Sequence, residues 1–253
     1  MRILTEESID IILEGQLKII QKKLGYRFSI DALLLAHYVR LKKAESILDL
    51  GTGSGIIGMI LCRHPSCSSV VGIEIQKDLA DMARRNIKLN RLDHKMKVFR
   101  GDVRAMAELV PLTSFDVVVF NPPYRKLLSG RISPDKQRAI ARHEMEGSIR
   151  DFLSAAFYAL KKNGRLYAIY HTVRLIELLC NMRCVGIEPK RLRMVHSREN
   201  MNGEFILVEG VKGARESLEV MPPLILYQDD QQLSPAVLDI FSRLASIEGA
   251  GAG

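Results

Sequence analysis

From Glu45 onward one pattern recurs along the chain: a short, nearly continuous apolar run, a break, then a segment whose apolar positions return at helical spacing. Residues 46–50, 70–74, 96–100 and 115–120 are the apolar runs and predict buried strands, while 56–63, 77–89 and 103–109 predict the helices between them. Such alternation implies a parallel sheet, because a parallel partner is reached only through a long crossover. Further on, 148–162 predicts a helix stopped by Asn163-Gly164, 165–170 a strand and 174–183 another helix. The runs 190–196 and 204–210 flank the turn-rich Asn200-Met201-Asn202-Gly203, which predicts an antiparallel hairpin closing the sheet. Residues 221–227 are expected as a short edge strand, 235–244 as a last helix and 249–253 as a flexible tail. The fold class is α/β.

Ahead of this core the pattern weakens. Residues 17–21 read as a short strand packed at one edge, and Ser29 as the N-cap of an apolar helix over 32–39. Asp31 lies in the first turn of that helix, where it either complements the helix dipole or joins Phe28 in a ligand rim.

Composition narrows the class. With 253 residues, 47% of them apolar, the chain can bury one sizeable core. It holds no apolar run of roughly 18 residues, and its first residues lack a signal-peptide pattern, so a cytoplasmic protein is expected. A formal charge of +8 and a pI near 9.4 would attract a polyanion such as RNA. Cys62, Cys67, Cys180 and Cys184 lack zinc-ribbon spacing, and no metal is expected.

The break after the first apolar run is Gly51-Thr52-Gly53-Ser54-Gly55, a turn that lets a ligand approach the backbone at the mouth of a strand. A dinucleotide fingerprint would need its third glycine where this chain has Ile56, which argues against NAD. Glu74, ending the next strand, is placed to accept from both ribose hydroxyls. Asp102, followed by Val103, either accepts from an adenine amino group or caps the helix that follows, and Asp49 precedes the turn where a cationic end would lie. Carboxylates in these positions suit a cationic, phosphate-free cofactor, S-adenosyl-L-methionine.

The fourth run ends in Asn121-Pro122-Pro123-Tyr124. Two prolines stop the strand and leave carbonyls free, Asn121 adds an amide oxygen, and Tyr124 adds a flat face. Together they suit a planar amine that donates hydrogens to the oxygens and stacks on the ring. The basic stretch that follows carries Arg125, Lys126, Arg131, Lys136, Arg138 and Arg142, candidates for phosphate contacts.

The string from Asp49 to Gly55, Glu74, Gly101-Asp102 and Asn121-Pro122-Pro123-Tyr124, in this order, resembles the class I adenosylmethionine-dependent methyltransferases that act on planar nitrogen. Gln21, the stretch from Gly25 to Ala36, Ala141-Arg142-His143-Glu144 and 222–227 look like the bacterial valine-tRNA adenine-37 N6-methyltransferase family, over nearly the whole chain. The resemblance implies a Rossmann-like, mostly parallel seven-stranded sheet with helices on both faces. It also implies an N-terminal extension and helix over 1–44 packing on the cofactor site, a methyltransferase domain over 45–248, and tRNA as partner. Asn121, Pro122, Pro123 and Tyr124 would be catalytic; Phe28, Asp31, Asp49, Gly51, Thr52, Gly53, Gly55, Glu74, Asp102, Val103 and Asn121 would bind the cofactor. A protein-glutamine methyltransferase would use the same tetrapeptide, since a carboxamide is also planar; a methyltransferase with this framework acting on another RNA and a non-catalytic RNA-binding module are the remaining readings.

Overall fold

The computed structural model describes residues 4–24, 29–122, 147–228 and 232–247. Phe28, Pro123, Tyr124, Arg125, Lys126, Arg131, Lys136, Arg138, Arg142 and the tail 249–253 lie outside them.

The four central runs form β3 (Glu45–Leu50), β4 (Cys67–Glu74), β5 (Met96–Arg100) and β6 (Phe115–Phe120), linked through α2 (Ile56–Arg63), α3 (Lys77–Leu89) and the short α4 (Met106–Leu109). They pair in parallel in the order β6-β3-β4-β5. Their apolar runs are continuous because both faces are covered. Ile47, Val117 and Val119 join one core, beneath α2 and α3; Leu48, Leu50, Val118 and Phe120 join the other. α5 (Ile149–Ala159) and α6 (Leu175–Cys184) supply much of that second core, through Phe152, Leu153, Leu178 and Met182.

The sheet continues as β7 (Leu160–His171), then the hairpin partners β9 (Gly203–Lys212) and β8 (Ile187–His196), then β10 (Glu219–Ile225). Only β9 runs antiparallel within it. Among the described residues the main sheet therefore has eight strands rather than seven, because the expected edge strand pairs in parallel with β8. Pro222 and Pro223 fall where that pairing shifts register, a place where missing N–H donors are tolerated at an edge.

A second difference concerns Asn163-Gly164. α5 ends at Ala159 and β7 begins at once, so the pair lies inside the strand, where the register shifts between Phe115 and Val117. Asn163 takes φ 60° there. A Cβ on Gly164 would sit 2.9 Å from the Lys161 carbonyl, so the close passage of the strand requires glycine.

The N-terminal residues form a separate two-stranded sheet, β1 (Glu7–Ile12) with β2 (Leu17–Lys22), instead of an edge of the main one. Asn86 of α3 anchors it. This side chain is fully buried, accepts from the Ile20 N–H at 2.7 Å and donates to the Ile20 and Ser54 carbonyls at 3.1 and 2.9 Å. Arg85 adds an ion pair to the buried Glu7, with one guanidinium bond of 2.6 Å. α1 (Ile30–Tyr38) then packs against α2 and β7, and α7 (Pro235–Ala245) against α1 and β10. Among the described residues no helix is long and apolar enough to cross a membrane.

Replacing Asn86 by alanine strands three buried backbone groups at once, since neither a side chain nor strand pairing would reach them. At ~1–3 kcal/mol for leaving a buried polar group unpaired, partly relieved by relaxation, Asn86→Ala should cost about 3 kcal/mol. In a chain of this size that lowers Tm by on the order of 6–12 °C in thermal denaturation; an unchanged Tm would contradict the assignment.

Candidate active site

β3 lies between β6 and β4, with Leu50 paired to Phe120 on one side and to Ile73 on the other. Parallel pairing in this register delivers Gly51, Glu74 and Asn121 to one edge of the sheet as immediate neighbours. They line a common cleft of about 530 Å³ with Gly53, Gly101, Val103 and Phe152.

The glycine turn is built for that edge. Gly51, Gly53 and Gly55 have φ of 68°, 58° and 86°, left-handed backbone that only glycine adopts freely. Gly51 and Thr52 donate their N–H groups to the Ile73 carbonyl at 2.8 and 3.0 Å, which pins the turn to β4. One face of the turn meets Phe152, whose ring a Cβ on Gly51 would approach to 3.3 Å. Behind the turn, Asn86 holds the Ser54 carbonyl.

Glu74 is fixed from both ends. Gly53 N–H donates to Oε2 and Gln76 N–H to Oε1, each at 2.9 Å. Its carboxylate, so held, lines the cleft. Asp49, fully buried at the end of β3, accepts from the Thr52 hydroxyl at 2.6 Å and the Gly58 N–H at 3.2 Å, both on Oδ2. Its Oδ1 is buried without a partner among the described residues. Burial, with the Glu74 charge acting in the same direction, pushes the Asp49 carboxyl up to about 6.

Asp102 behaves differently. It caps the 3₁₀ turn Val103–Ala105, accepting from the Arg104 N–H at 2.9 Å, and pairs with the Arg104 guanidinium. The bonds from Arg104 hold its carboxyl below the usual range. From this stretch it is Gly101 and Val103 that line the cleft.

Asn121 meets α1. Its Nδ2 donates to Asp31 Oδ2 at 2.9 Å, and its Oδ1 is buried with no partner among the described residues. The other Asp31 oxygen receives the Ser29 hydroxyl, so Ser29 occupies the N-cap position without a capping bond from its side chain. Burial raises the Asp31 carboxyl, while the Asn121 bond, the N–H groups of Asp31 and Ala32 and the charge of His171 oppose that rise.

Two buried acceptors, Asp49 Oδ1 and Asn121 Oδ1, thus wait for donors near a cleft whose fixed ionisable group is Glu74. Such a set of acceptors fits a cationic cofactor with hydroxyl and ammonium hydrogens and would repel a pyrophosphate. Asn86 and Phe152 were not apparent from sequence. An asparagine on the buried stripe of 77–89 was the available signal for the first; Phe152 is indistinguishable there from any core aromatic.

The comparisons agree with this geometry. Residues 27–179 match the methyltransferase small domain family. A tRNA1(Val) (adenine(37)-N6)-methyltransferase of Porphyromonas gingivalis strain W83 is 30% identical over 206 residues, spanning 79% of this chain and 80% of the relative. A protein of the same name from Histophilus somni strain 129Pt is 29% identical over 201 residues, 75% of this chain and 84% of its own length. Among solved structures, a predicted O-methyltransferase from Agrobacterium tumefaciens superposes with a TM-score of 0.70 at 24% identity, over 85% of this chain and 96% of that one. The fold is thus that of the Rossmann-like methyltransferases. The chain belongs to the methyltransferase small domain family, and its cofactor is S-adenosyl-L-methionine.

The raised Asp49 pKa sets a pH dependence whose sign follows from linkage. Raised in the folded state, it stabilises the free protein at low pH, and that contribution is lost as pH rises through about 6. A cationic cofactor favours the ionised form. The Tm increment given by adenosylmethionine should therefore grow between about pH 5 and 7, and Asp49→Asn should remove most of that growth. An increment equal at both pH values in the wild type would contradict the placement of the cation.

Proposed function

We propose that the enzyme methylates the exocyclic N6 of an adenine in tRNA, position 37 of a valine tRNA, in the cytoplasm. The observation that carries the reading is Asn121 Oδ1: a buried acceptor without a partner, on a residue lining the cofactor cleft. The names of the Porphyromonas and Histophilus relatives support the choice of base and RNA, and the net charge of +8 favours a polyanion over a protein substrate.

Glu74 would hold the ribose hydroxyls, and the turn Gly51, Thr52, Gly53 and Gly55, with Val103, would cradle the rest of the cofactor, over Asp49. Asp102, freed from or shared with Arg104, would serve the adenine end. Once bound, the cofactor supplies an electrophilic methyl on a sulfonium. Asn121 Oδ1 and the Pro122 carbonyl then accept the two hydrogens of the target amine. Both bonds draw the nitrogen lone pair out of conjugation with the ring and stabilise the positive charge that grows on nitrogen during attack. The methyl would pass to N6 as its bond to sulfur breaks, leaving neutral S-adenosylhomocysteine, and the methylated nitrogen would then lose its extra proton to water; no proton has to leave beforehand, so a neutral amide suffices.

A base in a folded RNA must leave its stack to arrive there. Tyr124 would replace part of the lost stacking, at ~1–3 kcal/mol, and Arg125, Lys126, Arg131, Lys136, Arg138 and Arg142 would meet phosphates. Phe28 would join the ligand rim.

Asn121→Ala should lower kcat for methyl transfer to tRNA by roughly 10²–10³-fold, the usual loss for one preorganised donor or acceptor of charge stabilisation. Nucleoside mass spectrometry of tRNA incubated with purified protein and labelled cofactor reads the product as N6-methyladenosine. Label in a protein glutamine and none in RNA would contradict the reading.

A further inference from the structure

A carboxamide at a substrate site is ambivalent. One end accepts and the other donates, and a half-turn about its terminal bond exchanges them with almost no change in shape. With its NH2 turned inward, Asn121 would bind the nitrogen lone pair that must attack and would repel the amine hydrogens. An asparagine left to itself would populate both orientations, and only one supports transfer.

We infer that Asp31 is a positioning residue that locks the Asn121 amide with its oxygen toward the substrate, and so makes the site selective for a nitrogen that donates. An ionised carboxylate can only accept, so whichever end of the amide faces Asp31 Oδ2 at 2.9 Å has to be the NH2. The oxygen is then the end left over, and it is the buried atom without a partner. Turning the amide over would break a charge-assisted bond and set two oxygens against each other, which at the usual strength of such bonds disfavours the flipped form by tenfold or more.

Asp31 is itself held for this task. It is 5% exposed, in the first turn of α1, and its second oxygen takes the Ser29 hydroxyl. Ser29 gives that bond in place of a helix cap, so a stabilising local contact is replaced by one that orients the carboxylate. His171, at the end of β7, favours the charged form. The role differs from cofactor contact: Asp31 touches Asn121 and does not line the cleft. The N-terminal helix thereby reaches the chemistry through one hydrogen bond to the end of β6.

The inference rests on the proposed reaction for its consequence, but the lock is a property of the protein alone, and the experiment separates the two. Asp31→Asn can turn either its oxygen or its NH2 to Asn121, so it keeps a partner there but fixes no orientation, whereas Asp31→Ala removes the partner. With tRNA and labelled adenosylmethionine, both variants should lower kcat, Asp31→Ala tenfold or more, with cofactor affinity by calorimetry unchanged. In an Asn121→Ala background neither should cost anything further, since nothing remains to be oriented. Weakened cofactor binding with kcat retained would overturn the inference, as would a wild-type kcat in Asp31→Asn. In parallel, the Asn121 side-chain amide protons, identified by NMR through their loss in Asn121→Ala, should exchange slowly in the wild type and rapidly in Asp31→Ala. Equal exchange in the two overturns the lock even if tRNA is not the substrate; slow exchange lost in Asp31→Ala upholds it in that same case.

Discussion

Everything at the candidate site depends on the in-register pairing of Leu50 with Phe120 on one side and Ile73 on the other. Parallel strands bring their carboxyl ends to one edge, and this register makes the residues that follow, Gly51, Asn121 and Glu74, neighbours. A slip by one residue would exchange the faces of a strand, exposing Leu48 and Leu50 to the wrong core and carrying the turn and the tetrapeptide apart. The two hydrophobic cores therefore do more than stabilise the sheet. By making each alternate residue specific for one face, they set the distance between the cleft and Asn121.

Rigidity at that edge comes from polar groups that the cores exclude from water. Asn86 ties the glycine turn to the N-terminal hairpin, Glu74 takes backbone N–H groups on both oxygens, and Asp31 takes the amide of Asn121. Each is buried and bonded, the arrangement in which a low-dielectric setting strengthens a hydrogen bond. Asp49 Oδ1 and Asn121 Oδ1, without partners among the described residues, are the acceptors we assign to ligands. Acceptors whose side chains are held by bonds to their other atoms are preorganised: their dipoles are aimed before a ligand enters.

The central strands were legible because burial on both faces writes a continuous apolar run, and the turn and tetrapeptide because glycine and proline have backbone meanings of their own. Glu74 was readable as a carboxylate ending a buried strand. β1 was not, since Ile9 and Ile11 point to solvent and blur its alternation. Asn163-Gly164 reads as a helix stop from composition, but the shift in pairing between β6 and β7 is a tertiary event that only the register reveals. The same holds for Ser29 and Asp31: local rules assign a helix cap and a dipole partner, and the actual partner of Asp31 lies ninety positions away in sequence, at Asn121. Asp102 could be read two ways from sequence, and its contacts in the structure are those of the cap.

We place the cofactor between Glu74 and Asn121, with its reactive end toward the amide oxygen. A crystal structure of the protein with S-adenosylhomocysteine is the decisive test. It should show both ribose hydroxyls within hydrogen-bonding distance of Glu74, the homocysteine end over Asp49 and the turn from Gly51 to Gly55, and the sulfur facing Asn121 Oδ1 with room between them for a methyl group. A ligand seated away from Glu74, or an Asn121 amide turned with its nitrogen toward the sulfur, would contradict it.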